Sequence, residues 1–371
     1  MGEKVTLKVH DRRVLIALAL VLGVAIVAVS PLRAAERNSY TVTPLVSDQP
    51  GVAPNTDPNL VNAWGLTSSP TSPWWISDNG TDKSTLYNGS GVKQGLTVNV
   101  AGRPTGTVFN GTGDFVVSVP GGASGPARFI FATEDGTIRG WNPGFPPPVP
   151  PSTQTEVGAS SVGAIYKGLA IGSVGSTNYL YAANFHRPGI DVFDGSWNPA
   201  LPGSFVDPGI PAGYAPFGIQ NINVAGTRMI FVTYAKQDAD AEDEIAGPGF
   251  GYVSAFSTNG TFLGRVASRG ALNAPWGLAL APTTAPGFGR FSGNLLVGNF
   301  GDGRINAYAW TGTSWVARGH LKTANHHPLS IDGLWGIGFG NGAGSGPVTT
   351  LYFAAGPDDE SHGLFGSITT P

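Results

Sequence analysis

The chain has 371 residues, 55 of them Gly and 30 Pro, while charged residues make up only 12% and hydrophobic ones 41%. That much turn-forming residue beside 19 Phe, ten Tyr and nine Trp excludes a helical bundle and a disordered chain, and points to a β-protein with a sizeable core. The lack of Cys excludes a disulfide scaffold, thiolate metal sites and cysteine catalysis, and a net charge of −3 gives no basic footprint for nucleic acid.

At the start of the chain Lys4, Lys8, Arg12 and Arg13 precede an uncharged run from Val14 to Val29, followed by Ser30, Pro31 and the small pair Ala34-Ala35. Basic, then apolar, then small is the order of a secretory signal peptide over residues 1–35, and it predicts export to the periplasm or the extracellular space. Arg33 fits poorly three places before a cut after Ala35. The alternative is therefore an uncleaved N-terminal membrane anchor, which would be the chain's one link to a membrane. Residues 36–371 then form a single domain.

Tyr40 to Val46 alternates like a strand, and after it three short patterns recur six times in the same order. The first is a Gly leading into an apolar strand: Gly65-Leu66, Gly106-Thr107-Val108, Gly168-Leu169, Gly218-Ile219, Gly277-Leu278 and Gly336-Ile337. Trp64, Phe217, Trp276 and Trp335 stand directly before four of these glycines. The second is an apolar run ending in small residues, as in Phe129-Ile130-Phe131-Ala132 and Leu351-Tyr352-Phe353-Ala354. The third alternates and ends near a Gly turn, as in Thr85-Leu86-Tyr87-Asn88-Gly89. Gaps of 41 to 62 residues between the first-pattern glycines suit four-stranded antiparallel sheets arranged around an axis. The expectation is an all-β, six-bladed β-propeller of four-stranded antiparallel blades. The last repeat has no room for an outer strand before Pro371, so the N-terminal strand at about 40–46 should complete the last blade and close the ring. Between repeats, the five prolines from Pro146 to Pro151 read either as a stiff outer linker or as a Pro-rich ligand segment.

Loops entering inner strands and loops leaving second strands open on one face of a propeller, because successive strands run antiparallel. Directly after the second strands this places Asp78, Glu134, Asn184, Tyr234, Asn299 and Gly356, and ahead of inner strands Asn62, Asn273 and Asp332. Oxygen ligands without thiolate suit Ca²⁺, with Asp78, Glu134, Asn184 and Asn299 as its ligands. The competing reading is that Asp and Asn merely cap turns there. Asn62, Asn273, Asp332, Tyr234, Asp302, Asp358 and Asp359 are the candidate ligand-binding residues of the same face. The acidic run Asp238, Asp240, Glu242, Asp243 and Glu244 reads as a cation-binding flap or a solvated loop. His186, His326 and His327 are the candidates for moving a proton. Asp358 to His362 holds three residue types of a hydrolytic triad, but neighbours on one loop make a turn more readily than a triad. The chain has no nucleophile elbow and no phosphate-cradling loop leading into a helix.

The strings Asn62-Ala63-Trp64-Gly65-Leu66, Ala274-Pro275-Trp276-Gly277-Leu278, Gly298-Asn299-Phe300-Gly301-Asp302-Gly303, Asp332-Gly333-Leu334-Trp335-Gly336 and Ala355-Gly356-Pro357-Asp358-Asp359-Glu360 resemble an uncharacterised family of exported bacterial propeller proteins. More distantly the chain resembles NHL-repeat propellers and the gluconolactonase-like (SMP-30-type) hydrolases. The second resemblance implies an axial Ca²⁺ held by residues such as Asp78, Glu134, Asn184 and Asn299, although Tyr234 and Gly356 interrupt that ring. Three functions follow as expectations. The first is a binding module taking a small molecule, glycan or protein at its polar face; the second is a calcium-dependent lactonase- or esterase-like hydrolase with the metal as Lewis acid. The third is a cell-surface interaction module. None involves nucleic acid.

Overall fold

The computed structural model describes residues 1–3, 38–119, 122–144, 153–284 and 286–371. The chain divides into Met1–Glu36 and Arg37–Pro371. The leader or anchor segment and the Pro-rich segment, at 4–37 and 145–152, lie outside the described residues. Among the described residues there are strands and two 3₁₀ turns, and no helix long and apolar enough to cross a membrane.

The strands form a six-bladed β-propeller. Counting from the N-terminal repeat, the inner strands of blades one to six are Ala63–Thr67, Pro104–Phe109, Tyr166–Val174, Tyr214–Val224, Pro275–Leu280 and Leu334–Phe339. The first, second, fourth and fifth blades have four antiparallel strands each. In the sixth, Thr41–Ser47 pairs antiparallel with Leu364–Thr369, Thr41 opposite Thr369 and Ser47 opposite Leu364. The ring is thus closed by the N-terminal strand, as its alternation predicts, and Pro44 sits where the register shifts, a tolerated position for a residue without an N–H. The third blade differs from the expected four strands. It stops at Gly189–Asp194, and a loop crosses where the fourth strand would lie, bonding Ala200 N–H to the Val192 carbonyl at 2.8 Å.

The hydrophobic core is split into layers between blades. Trp75, Leu86 and Val98 of the first blade pack on Phe129, Phe131 and Trp141 of the second, and five further clusters fill the other seams. Second strands therefore bury both faces, which is why they read as continuous apolar runs rather than alternating ones. At the axis the inner strands touch in a closed ring, the sixth meeting the first. The recurring glycines make this approach feasible: a Cβ on Gly65, Gly106, Gly168, Gly218, Gly277 or Gly336 would collide with the backbone of the next blade. Pairing of inner and second strands slips at or beside this position, for example between Ala63 and Leu66 and between Pro216 and Ile219. Such a bulge re-aims the side chain it carries, and here it turns the residue before the glycine onto the axis.

An axial lysine among carboxylates

Four of those axial side chains are aromatic and plug the ring. Trp64 stacks on Trp335 with ring centroids 3.5 Å apart, Phe300 covers Trp335 from the other side at 4.1 Å, and Phe217 and Trp276 meet them edge-on. Below the plug, a void of about 30 Å³ is lined by Gly65, Gly106, Leu169, Ile219, Leu278 and Ile337. Farther along, the same strands end at a depression of about 250 Å³ lined by Leu66, Thr67, Ser68, Gln220, Ile222 and Phe339.

The third blade breaks the aromatic pattern. Its residue before the glycine is Lys167, 1% exposed, with its ammonium 5.1 Å from the Trp64 ring centroid. Nζ donates to Glu134 Oε1 at 2.5 Å and to Asp243 Oδ1 at 2.9 Å. Glu134 follows the second strand of the second blade, and its Oε2 accepts from Asn79 at 3.0 Å and pairs with Arg103 at 3.2 Å. Asp243 comes from the fourth blade, on a hairpin-like flap held by Asp238 N–H to Asp243 O, by Ile245 N–H to Lys236 O, and by Gly247 N–H to Asn273 Oδ1 at 2.6 Å. Three blades thus supply one charge cluster, in which Lys167 and Glu134 are buried and Asp243 is exposed.

Two further carboxylates join it. Glu244, next on the flap, is pushed up to about 8 by burial first, with Glu360 and Asp243 adding and Lys167 opposing. Glu360, after the second strand of the sixth blade, is pushed up to about 7 by burial, with Glu134 and Asp243 adding and Lys167 and an Asn62 hydrogen bond opposing. Burial alone would lower the Lys167 pKa, but Glu134, Glu244 and Asp243 outweigh it and hold the ammonium above its ordinary value. A lysine ammonium and two carboxylates that hold their protons near neutrality therefore share this mouth.

The predicted site residues divide between this mouth and other places. Glu134 is at the cluster's centre, and Asn62 is at its edge, donating to Asn79 Oδ1 at 3.2 Å. Asn273 anchors the flap, and His186 touches the flap through Nδ1 and the Ala241 carbonyl at 3.3 Å. Of the acidic run, Asp243 pairs with Lys167 and Glu244 acts on it electrostatically, while Asp240 and Glu242 are exposed. Asn184 is occupied within its own blade by Asp191. Asn299 bonds the Ala271 carbonyl and Asp302, and Tyr234 is buried in the seam of the third and fourth blades. Asp78 accepts from Thr85 at 3.1 Å and lies near Asp57. Asp332 accepts the Asp358 N–H, Asp358 and Asp359 sit in a left-handed turn, and His326 and His327 are exposed in the turn starting at Thr323. The Asp358 to His362 run is a turn, with His362 bonded to Asp48 and Ser361 to the Asp358 carbonyl.

The four residues expected to ligate Ca²⁺ are thus not brought together: Asp78, Asn184 and Asn299 are held within their own surroundings, and the Glu134 oxygens are taken by N–H donors. Among the described residues no group of three or more His, Asp or Glu side chains is placed to hold a metal ion. Lys167 was legible and missed; it stands in the register position of Trp64, Phe217, Trp276 and Trp335.

No known family model matches the chain. It is 35% identical to the uncharacterised protein R648 of Acanthamoeba polyphaga mimivirus, over 89% of this chain and 80% of that one. It is 33% identical to the uncharacterised protein L690 of the same virus, over 89% and 86%. Among solved structures, it is similar in fold to a Bacteroides thetaiotaomicron protein of unknown function, with TM-score 0.55, 9% identity and coverage of 89% of this chain and 76% of that one. It is likewise similar to the soluble aldose sugar dehydrogenase of Escherichia coli, with TM-score 0.51, 12% identity and coverage of 90% and 100%. Both of these sequence relatives are viral, whereas the motifs resembled a bacterial family. At these identities and coverages the chain belongs to a family of uncharacterised β-propeller proteins that includes R648 and L690.

Proposed function

We propose that the chain is an exported, noncatalytic binding propeller whose axial mouth takes a small molecule, glycan or protein ligand. The basic-apolar-small order of residues 1–35 supports export. The observation that carries the binding reading is Lys167 standing where four other blades place an aromatic side chain. Taking an ammonium and its partner carboxylates out of water costs several kcal/mol per ion, and an apolar residue of similar size is often as stable or more so. A charged group kept where an apolar one would pack is a local rule broken, and such breaks concentrate at sites of function. In this reading Lys167 supplies the fixed positive charge that an axial Ca²⁺ would supply in a hydrolase of this fold class, and Asp243 brings the flap over it.

The test is thermal melting of the purified protein and of Lys167→Met against a defined panel of monosaccharides, amino acids, polyamines and CaCl₂. A ligand at a hundred times its Kd stabilises by about 2.7 kcal/mol, a shift of a few degrees. The expected result is such a shift for one class in the wild type and a different shift in Lys167→Met, smaller for a ligand that needs the ammonium and larger for one that it repels. A panel that leaves the wild type unmoved, or shifts both proteins equally, removes the reading. A shift by CaCl₂ alone, abolished by chelator, would restore the calcium-dependent hydrolase.

A further inference from the structure

The axial cluster is short of donors on one side. Lys167 and Arg103 are its cations, and they pair with Glu134 and Asp243. Among the described residues neither Glu244 nor Glu360 is in an ion pair. Glu360 Oε1 is buried with no hydrogen-bond partner within the protein, and so is Oδ1 of Asn62, a residue only 5% exposed. Asn62 turns its amide N–H groups to Asn79 and Glu360, so its own carbonyl oxygen and Glu360 Oε1 are left as acceptors without donors. An acceptor in that state forfeits about 1–3 kcal/mol.

Resting on the axial-mouth reading, we propose that the ligand presents an ammonium group to Glu360, Glu244 and Asn62 Oδ1. A primary ammonium carries three N–H donors and one positive charge, which matches unfilled acceptors and carboxylates without a counter-ion. A divalent cation fits less well, because the fixed Lys167 ammonium repels it twice as strongly and Ca²⁺ asks for six to eight oxygens. A neutral polyol would fill the acceptors but leave the carboxylates uncompensated. The groups facing the two carboxylates are Lys167 from the third blade, Glu134 from the second, Asp243 on the flap and Asn62 ahead of the first. Binding a cation there favours the ionised carboxylates, so protons leave as it binds and affinity weakens as pH falls from about 8.5 to 6.

The probe is ethylammonium chloride, titrated calorimetrically at pH 8.5 and at pH 6 with ionic strength matched by NaCl. The expected result is saturable binding at pH 8.5, weaker by tenfold or more at pH 6, and weakened at least tenfold by Glu360→Gln. Glu244→Gln serves as the second variant should Glu360→Gln melt abnormally. Absence of saturation, or affinity indifferent to both substitutions, overturns the proposal. Saturation by glycerol in place of ethylammonium, lost in Glu360→Gln, removes the ammonium assignment and leaves the axial-mouth reading standing. If the defined panel also leaves the wild type unmoved, or shifts it and Lys167→Met equally, both fall.

Discussion

Two buried acidic groups in this molecule answer the same electrostatic problem differently. At the axis, Glu134 is neutralised by an internal ammonium, Lys167, with Asn79 and Arg103 on its second oxygen. At the seam where the ring closes, Asp57 takes Tyr87 and Lys93, each at 2.7 Å. Burial would raise the Asp57 pKa, but these bonds and Asn59 hold it below the ordinary carboxylate range. Asp78 beside it has Thr85 on one oxygen and no partner on the other. Burial, with Asp57 adding to it, pushes Asp78 well above that range. At the axis a buried lysine balances the carboxylate; at the seam a half-exposed one balances Asp57 while Asp78 keeps a proton. The difference separates a carboxylate that has a counter-ion from a neighbour that has none.

The axis is where breaking the balance should do most damage. Glu134→Leu leaves the buried Lys167 with only the exposed Asp243, and removing one partner of a buried pair destabilises by about 3–5 kcal/mol. A lower urea midpoint is the expected result. The double variant Glu134→Leu with Lys167→Met should recover most of the loss, since apolar replacement of a whole buried pair is close to neutral. A single variant as stable as wild type would mean that Lys167 is hydrated and that the contrast with the seam is false. Asp57→Asn should cost less, about 1–3 kcal/mol by the loss of a charged acceptor from Tyr87, because Lys93 is partly exposed and can return to water.

The same contrast explains what the sequence discloses and what it withholds. Six repeats and the closing strand are legible because strand alternation and the axial glycines are local patterns that every blade must obey. The missing outer strand of the third blade is not, since Ser196 to Leu201 has turn residues whose course depends on the neighbouring blade. Asp78 illustrates a reading available from parity. It lies two residues after Ile76 and four after Trp74, and both pack into the seam with the sixth blade. A strand sends i, i+2 and i+4 to one side, so Asp78 belongs to the seam and not to the axis. Glu134 lies just past the end of its strand, where that parity lapses, and its partner Lys167 is found only by comparing register positions across blades. The unfilled acceptors of Glu360 and Asn62 depend on the sixth blade meeting the first and have no sequence signature.

The smallest expected effect is at Asp78, and it bears on the seam alone. A carboxyl whose folded pKa is raised contributes stability that is fully present below its unfolded value near 4 and is lost as pH rises toward the folded value. The wild type should therefore lose stability from about pH 4 upward through this group. Asp78→Asn keeps the shape, cannot ionise, and turns an N–H donor toward a seam that already holds the charged Asp57. Its melting temperature should match or exceed that of the wild type at pH 7, with a flatter dependence between pH 4 and 7. The slope given by Glu244 and Glu360 at the axis should persist in this variant, since those two carboxyls remain. A variant that melts lower than wild type at pH 7 while keeping the full slope would mean that Asp78 is ionised in the folded seam beside Asp57.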